Sequence, residues 1–214
     1  MKVSLEIIAS EVTCADQKID DLREKEIVPK MMLRRRLTRA SKIMLYLAES
    51  CRFKQGAVVY GSAYGELPAI AEILSAIYSH DAISPTAFQN SVYNTPASYF
   101  SILHQNHEEI LTVSSGDQTS QDVLKTAALQ ALYHQTDVLA LCTETINIDN
   151  INEVNSCSQY LESGVACRLR LSDKEPTIFP EGKIYNGFMP SLNSMLELHE
   201  KSQSIANPVV AISL

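Results

Sequence analysis

Between residues 110 and 142 the chain runs strand, helix, strand, and few architectures accept that order. Ile110–Val113 is a short apolar strand. Gln118–Tyr133 follows with Val123, Leu124, Ala127, Ala128, Ala131 and Leu132 on one helical face, and Asp137–Cys142 is almost wholly apolar. The same alternation occurs upstream. Gln55–Gly61 reads as a buried strand ending in a glycine turn, and Glu66–Ser79 as a helix turning Leu67, Ile70, Ile73, Leu74 and Ile77 inward. Strands interleaved with helices require helices packed on a sheet, an α/β layered fold.

The remaining segments fit around this frame. Val3–Ile8 is a strand candidate, and Asp16–Lys30 is charged enough to lie on the surface. After Pro29, the residues Leu33, Leu37, Ala40, Met44, Leu47 and Cys51 recur at helical spacing, which places Arg34, Arg35 and Arg36 on that helix's first turn. Ser84-Pro85 interrupts the pattern. Ala97–His104 is a short helix, Gln105–Glu109 and Asn147–Ser158 are polar loops, and Gly164–Leu171 is a strand. Residues 1–214 read as one domain, with 176–214 an irregular, proline-interrupted extension containing one helix near Ser191–Lys201.

Composition removes several function classes. A formal charge of −7 argues against nucleic acid as a partner. Cys14, Cys51, Cys142, Cys157 and Cys167 form no CxxC and no Cys/His spacing, so no metal and no disulfide framework is expected. The first residues lack a signal-peptide core, and no apolar run reaches the ~18–20 residues of a membrane span. The expectation is a cytoplasmic protein without cofactor.

Four constellations merit weighing for chemistry. Gly61-Ser62-Ala63-Tyr64-Gly65-Glu66 is a strand-to-helix turn of the kind that cradles phosphate, but it matches neither GxGxxG nor a P-loop, and a tight turn suffices to explain it. Ser114-Ser115-Gly116-Asp117-Gln118 brings a strand into a helix as nucleophile elbows do, yet GxSxG is absent. Asp117 has the ready role of N-cap. His80, His104, His107, His134 and His199 are scattered, with His104 and His107 in a polar stretch that reads as solvated loop. The Arg34–Arg36 run, with Arg39 and Lys42, is either a solvated helix face or a contact for an acidic partner.

Taken together, these segments resemble the short β-ketoacyl-synthase-like proteins described as chain length factors in aryl polyene-type clusters. Leu33-Arg34-Arg35-Arg36-Leu37 resembles the family's early RRRL, and Ser62-Ala63-Tyr64-Gly65-Glu66-Leu67 its SxxGEL turn. Ser84-Pro85-Thr86-Ala87-Phe88-Gln89-Asn90-Ser91-Val92-Tyr93-Asn94-Thr95-Pro96-Ala97 resembles SPt.F..SVhN.pA, and Ser115-Gly116-Asp117 its AGE. The match covers roughly residues 25–175. Tyr93 stands where histidine is common and Ser98 where glycine is usual. Counted forward from Asn94 without a gap, the cysteine of a true synthase falls on Asp117.

The resemblance implies a thiolase-like αβα fold corresponding to the N-terminal half of a synthase, with both catalytic histidines belonging to the second half. It implies a non-catalytic chain length factor that forms a heterodimer with a ketosynthase, while an acyl carrier protein presents the growing chain. Ile110, Leu111, Thr112 and Val113 would pair across the two-fold axis. Thr86, Ala87, Phe88, Gln89 and Asn90 would face the partner's acyl tunnel, so that bulk at Ala87 or Phe88 limits product length. Arg34, Arg35 and Arg36 are possible carrier-protein contacts. Two other readings stand beside this one. The first is a malonyl-carrier decarboxylase that uses Asp117 or Gln118, and the second is an α/β domain unrelated to acyl chemistry.

Overall fold

A computed structural model describes residues 1–149 and 151–214. In chain order the elements are β1 (Lys2–Ala15), α1 (Glu24–Ile27), α2 (Met31–Arg34), α3 (Arg39–Ser50), β2 (Ala57–Gly61), α4 (Leu67–Tyr78), α5 (Pro85–Asn90), α6 (Thr95–His104), β3 (Ile110–Val113), α7 (Thr119–His134), β4 (Val138–Thr145), α8 (Asn152–Asn155), β5 (Glu162–Leu171), α9 (Asn193–Ser202) and β6 (Val209–Ser213). The six strands form one sheet in the order β3-β2-β4-β5-β1-β6. β2 pairs in parallel with β3 and β4, and the remaining pairings are antiparallel.

The period-two pleat sorts the core into two faces. Val58 and Tyr60 of β2, with Leu139 and Leu141 of β4, pack against Ile43, Met44 and Leu47 of α3 and Phe100 of α6. Ala57 and Val59, with Val138, Ala140 and Cys142, turn to the other face and meet α7 and α9. Ala127, Ala128 and Ala131 keep α7 slim enough to lie close on the sheet. The approach is tightest at Gly61, where an added Cβ would stand 2.5 Å from Val123 Cγ2 and 2.9 Å from Cys142 Sγ. This close contact fixes where β2 ends and the turn behind it begins.

Several expectations need correction. The helix expected from Leu33 onward begins at Arg39. Thr38 caps it, accepting from Ser41 N at 3.1 Å, so Leu33 and the three arginines lie in the preceding turns. The charged stretch 16–30 is not purely surface, because Ile19, Leu22 and Val28 drop into the core. The first strand runs on to Ala15. Within residues 176–214 the expected helix is α9, which buries Met195, Leu196 and Leu198, but the rest is not irregular throughout, because β6 pairs with β1. β6 was hidden because Val209–Ser213 is short and stands just behind Pro208.

The two sheet edges are treated differently. Along β6, Thr177 N and Ile178 N donate to Val209 O at 2.8 and 2.9 Å, so a stretch of chain covers that edge. β3 has β2 on one side and no strand on the other among the described residues. Val58 N donates to Glu109 O and Ser62 N to Val113 O. With the parallel register, Leu111 and Val113 therefore face β2, and the peptide groups of Ile110 and Thr112 face outward.

Candidate functional site

The turn where the resemblance places a nucleophile is organised by Thr119 rather than by Asp117. Gly116 takes a φ of +56°, and Gly116–Gln118 forms a single 3-10 turn. Ser115 N donates to Thr119 Oγ1 at 3.0 Å, and that hydroxyl donates to Gly116 O at 2.7 Å. Asp117 is exposed and caps no helix, contrary to the N-cap expectation. It borders a cavity of about 500 Å³ with Gln118, Gln121, Lys125, Lys183 and Asn193, and no histidine lines that cavity. Ser114 and Ser115 are exposed too. A carboxylate at this point cannot take an acyl group into a thioester.

The turn after β2 does cradle an anion, but the anion is the protein's own. Glu144, at the end of β4 and fully buried, accepts from Ala63 N at 2.7 Å, Tyr64 N at 3.3 Å, Ser62 Oγ at 3.0 Å and Ser191 Oγ at 2.6 Å. Burial pushes its carboxyl above the usual range, and those four donors pull the other way. With its donors occupied internally, the turn has no place for a phosphate. The sequence suggested only a tight turn, because the carboxylate that its N–H groups hold lies some eighty residues further along the chain.

Glu66 closes the same turn. It is buried, takes a 2.6 Å hydrogen bond from Thr38 Oγ1 and lies in no ion pair among the described residues. Burial raises its pKa from 4.5 to about 7, with the Thr38 bond opposing. A folded-state pKa above the unfolded one means stability that is complete below pH 4.5 and lost as pH rises through about 7. At 1.36 kcal/mol per unit the loss amounts to about 3 kcal/mol. Glu66→Gln keeps an acceptor for Thr38 and is expected to be more stable than the parent at pH 8, while the two converge near pH 4. Urea unfolding at both pH values measures this, and equal pH slopes would refute it.

From this turn an arm leaves the body. α4 buries no residue at all, although its sequence suggested an inward face. Leu74 is 60% exposed, Ile77 53% and Tyr78 89%; further along the arm Phe88 is 69% exposed and Val92 50%. Thr86 and Gln89 are exposed. Ala87 is buried inside the arm, so of the two residues expected to set bulk only Phe88 presents its side chain outward. Asn90 anchors the arm's return, accepting from Tyr99 Oη and, through its carbonyl, from Thr95 Oγ1. Leu67 packs on Ile146, Leu161 and Met189, but beyond it the two helices carry apolar flanks that no element among the described residues covers, a contact surface rather than a core.

The arm ends at Asn94, where a groove of about 500 Å³ runs along the open strand. Asn94, Ala97, Ser98 and Ile102 form one wall, with Ile110 and Thr112 opposite. Arm, groove and unpaired edge are thus continuous, bringing together most of the residues singled out for the partner. Two elements of the sequence picture lie elsewhere. Arg34 spends its guanidinium on Val28 O and Pro29 O, both at 2.7 Å, while Arg35 and Arg36 are exposed and make no side-chain hydrogen bond among the described residues. His104 is not in a solvated loop but half-buried at the end of α6 against Phe100, and burial lowers its pKa.

No group of three or more His, Cys, Asp or Glu side chains among the described residues could hold a metal ion. No described helix is long and apolar enough to cross a membrane.

The β-ketoacyl synthase N-terminal domain profile matches residues 13–204. No curated protein matches by sequence. Among solved structures, the chain is similar to one from a ketosynthase (ApeO) in complex with its chain length factor (ApeC) from Xenorhabdus doucetiae, at 21% identity and TM-score 0.70, covering 95% of this chain and 93% of that one. The ishigamide ketosynthase/chain length factor follows at 12% identity and TM-score 0.62, covering 80% of this chain and 63% of its own. A type II polyketide acyl-carrier protein in complex with its ketosynthase bound to the hexaketide, AntDE:AntF, matches at 11% identity and TM-score 0.51, covering 80% and 59%. At these identities the likeness establishes a shared thiolase-like fold.

Proposed function

The chain belongs to the β-ketoacyl synthase family through its N-terminal domain, and from that premise we propose that it is a non-catalytic chain length factor that pairs with a ketosynthase. The ketosynthase condenses malonyl units onto an acyl chain delivered by a carrier protein, and this chain completes the dimer and shapes the tunnel that holds the product. The observation that carries the reading is the unpaired edge of β3 beside an apolar arm, in a sheet whose other edge is covered. Exposed strand edges are ordinarily shielded, and one left open and flanked by apolar side chains suits pairing with another chain. Asp117, standing where a synthase carries its nucleophile, supports the non-catalytic part. The decarboxylase alternative needs imidazoles around the acyl thioester, and the cavity beside Asp117 and Gln118 contributes none.

On this reading Ile110–Val113 continue the sheet into the partner, and Thr86–Asn90 reach its tunnel. Phe88 is the tunnel wall contributed by this chain, and Phe88→Ala is expected to let the complex run at least one further condensation. Mass analysis of the released acyl chains decides this; an unchanged product distribution would remove Phe88 from the tunnel. The proposal as a whole is tested by native mass spectrometry after co-expression with a ketosynthase. A 1:1 complex, with condensation activity that neither chain has alone, is the expected result. A monomer that ignores the synthase would return the chain to the unrelated-domain reading.

A further inference from the structure

Few contacts hold the arm of α4 and α5 to the body, and they lie at its two roots. α4 itself buries no side chain. At the outgoing root, Leu67 packs on Ile146, Leu161 and Met189. At the returning root, the Tyr93 ring lies against Gly65 and its hydroxyl donates to Ala63 O at 3.2 Å, while Tyr99 Oη donates to Asn90 Oδ1 at 3.3 Å. Glu66 belongs to both roots. It follows Gly65 in the chain, and on the returning side burial and then the charge of Glu66 raise the Tyr99 pKa, with exposed Arg36 opposing. Although Glu66 stands at the N-cap position of α4, it does not cap that helix. Its carboxylate reaches instead into the body, to Thr38 Oγ1 at 2.6 Å.

One turn thus carries two buried carboxylates held in opposite ways. Glu144 accepts from four donors. Glu66 accepts from one: Thr38 Oγ1 is already the acceptor for Ser41 N as the cap of α3, and its single proton goes to Glu66. The start of α3 brings only the hydroxyls of Thr38 and Ser41 toward it. The titratable groups facing it are Tyr99 of α6 and Tyr60 of β2, and Tyr60 has Glu144 of β4 as a second acidic neighbour. Among the described residues no cation acts on Glu66 itself. A dry carboxyl with one donor and no counter-charge is comfortable as the neutral acid. Once ionised, it gains hydration only if the roots part and admit water.

We propose that Glu66 is a proton-operated latch at the roots of the arm: the neutral acid seats the arm for pairing, and the carboxylate lets the roots part. The link to pairing rests on the chain length factor reading; the latch does not. The seated side chain has its pKa raised to about 7 by burial, and a hydrated one keeps the ordinary 4.5. The seated form therefore binds the proton more tightly, so seating is favoured at low pH and weakens about tenfold between pH 6 and pH 8. A partner that needs the seated arm loses affinity as the seated fraction falls. Glu66→Gln has no proton to lose, and its roots should hold equally at both pH values.

The test is amide hydrogen exchange of the isolated chain, with rates corrected for the intrinsic pH dependence of exchange. Peptides covering 63–70 and 90–97 report the roots, and one covering 138–142 of β4 reports global unfolding. In the parent the roots should open more readily than β4, and their opening constant should rise about tenfold from pH 6 to pH 8. In Glu66→Gln it should stay level. Roots that exchange only together with β4, a level response in the parent, or the same rise in the variant would each overturn the latch. Pairing with one ketosynthase is then titrated for both chains at the two pH values. The parent should lose up to about tenfold more affinity than the variant on going to pH 8; equal losses would cut the latch from pairing. Roots that open with pH on a chain that never pairs would bring down the subunit reading and leave the latch standing.

Discussion

Thr112→Pro is expected to abolish pairing with a ketosynthase while the isolated chain stays folded. Within β3 the peptide groups alternate, and that of Thr112 faces away from β2. Proline there removes a donor that β2 does not use, and its ring stands in the path of any strand laid alongside. Losing one inter-chain hydrogen bond alone weakens association about tenfold, and the ring adds its steric clash. The neighbouring change makes the control. Leu111→Pro removes a donor aimed at β2 and should lower the melting temperature. Co-purification and thermal melts of both variants read the outcome. A Thr112→Pro chain that still pairs with native affinity would show that β3 is not the seam.

That prediction could be framed from sequence only in outline. Ile110–Val113 was legible as a strand because four apolar or β-branched residues stand between a polar loop and a helix. Its place at the sheet's edge was not, because edge position depends on which strands choose which neighbours. β2 and the first five residues of β4 were readable because they are buried on both faces and so continuously apolar. α4 misled for the opposite reason. Leu67, Ile70, Leu74 and Ile77 keep helical spacing, and periodicity reports an apolar stripe without saying whether the chain's own core or another molecule covers it. The arginine run misled through a boundary. Thr38 caps α3 with its hydroxyl and so starts the helix six residues later than the apolar period suggested. For the site, motif order put Asp117 at the strand-to-helix turn and turned 86–90 toward a partner, but the arm was not legible, and Ala87 and Phe88 were indistinguishable until their burial separated them.

The largest loss of stability is expected from Glu144→Ala, and the reason is where its donors come from. Ser62, Ala63 and Tyr64 belong to the turn that launches the arm, and Ser191 belongs to the segment leading into α9. One carboxylate therefore ties the end of β4 to both. Glu197 repeats the device at the C-terminal side, accepting from Glu181, Gly182 and Lys183 N–H groups. Removing the carboxylate at 144 leaves several donors without partners in a dry site, which costs about 3–5 kcal/mol. Hydrogen exchange should quicken at 62–66 and at 191–193 together, though the two segments are far apart in sequence. Glu144→Gln separates charge from bonding. Its carbonyl still accepts from Ala63 N and Ser191 Oγ, and its amide relieves the buried charge that holds the parent's pKa high. Its nitrogen replaces the oxygen that accepts from Tyr64 N, so one acceptor is lost, and the glutamine variant should cost about 1–2 kcal/mol at neutral pH, clearly less than alanine. If alanine and glutamine proved equally mild, Glu144 would not be the tie between the arm and the C-terminal segment, and the position of the arm would have to come from the packing of Tyr93 on Gly65 instead.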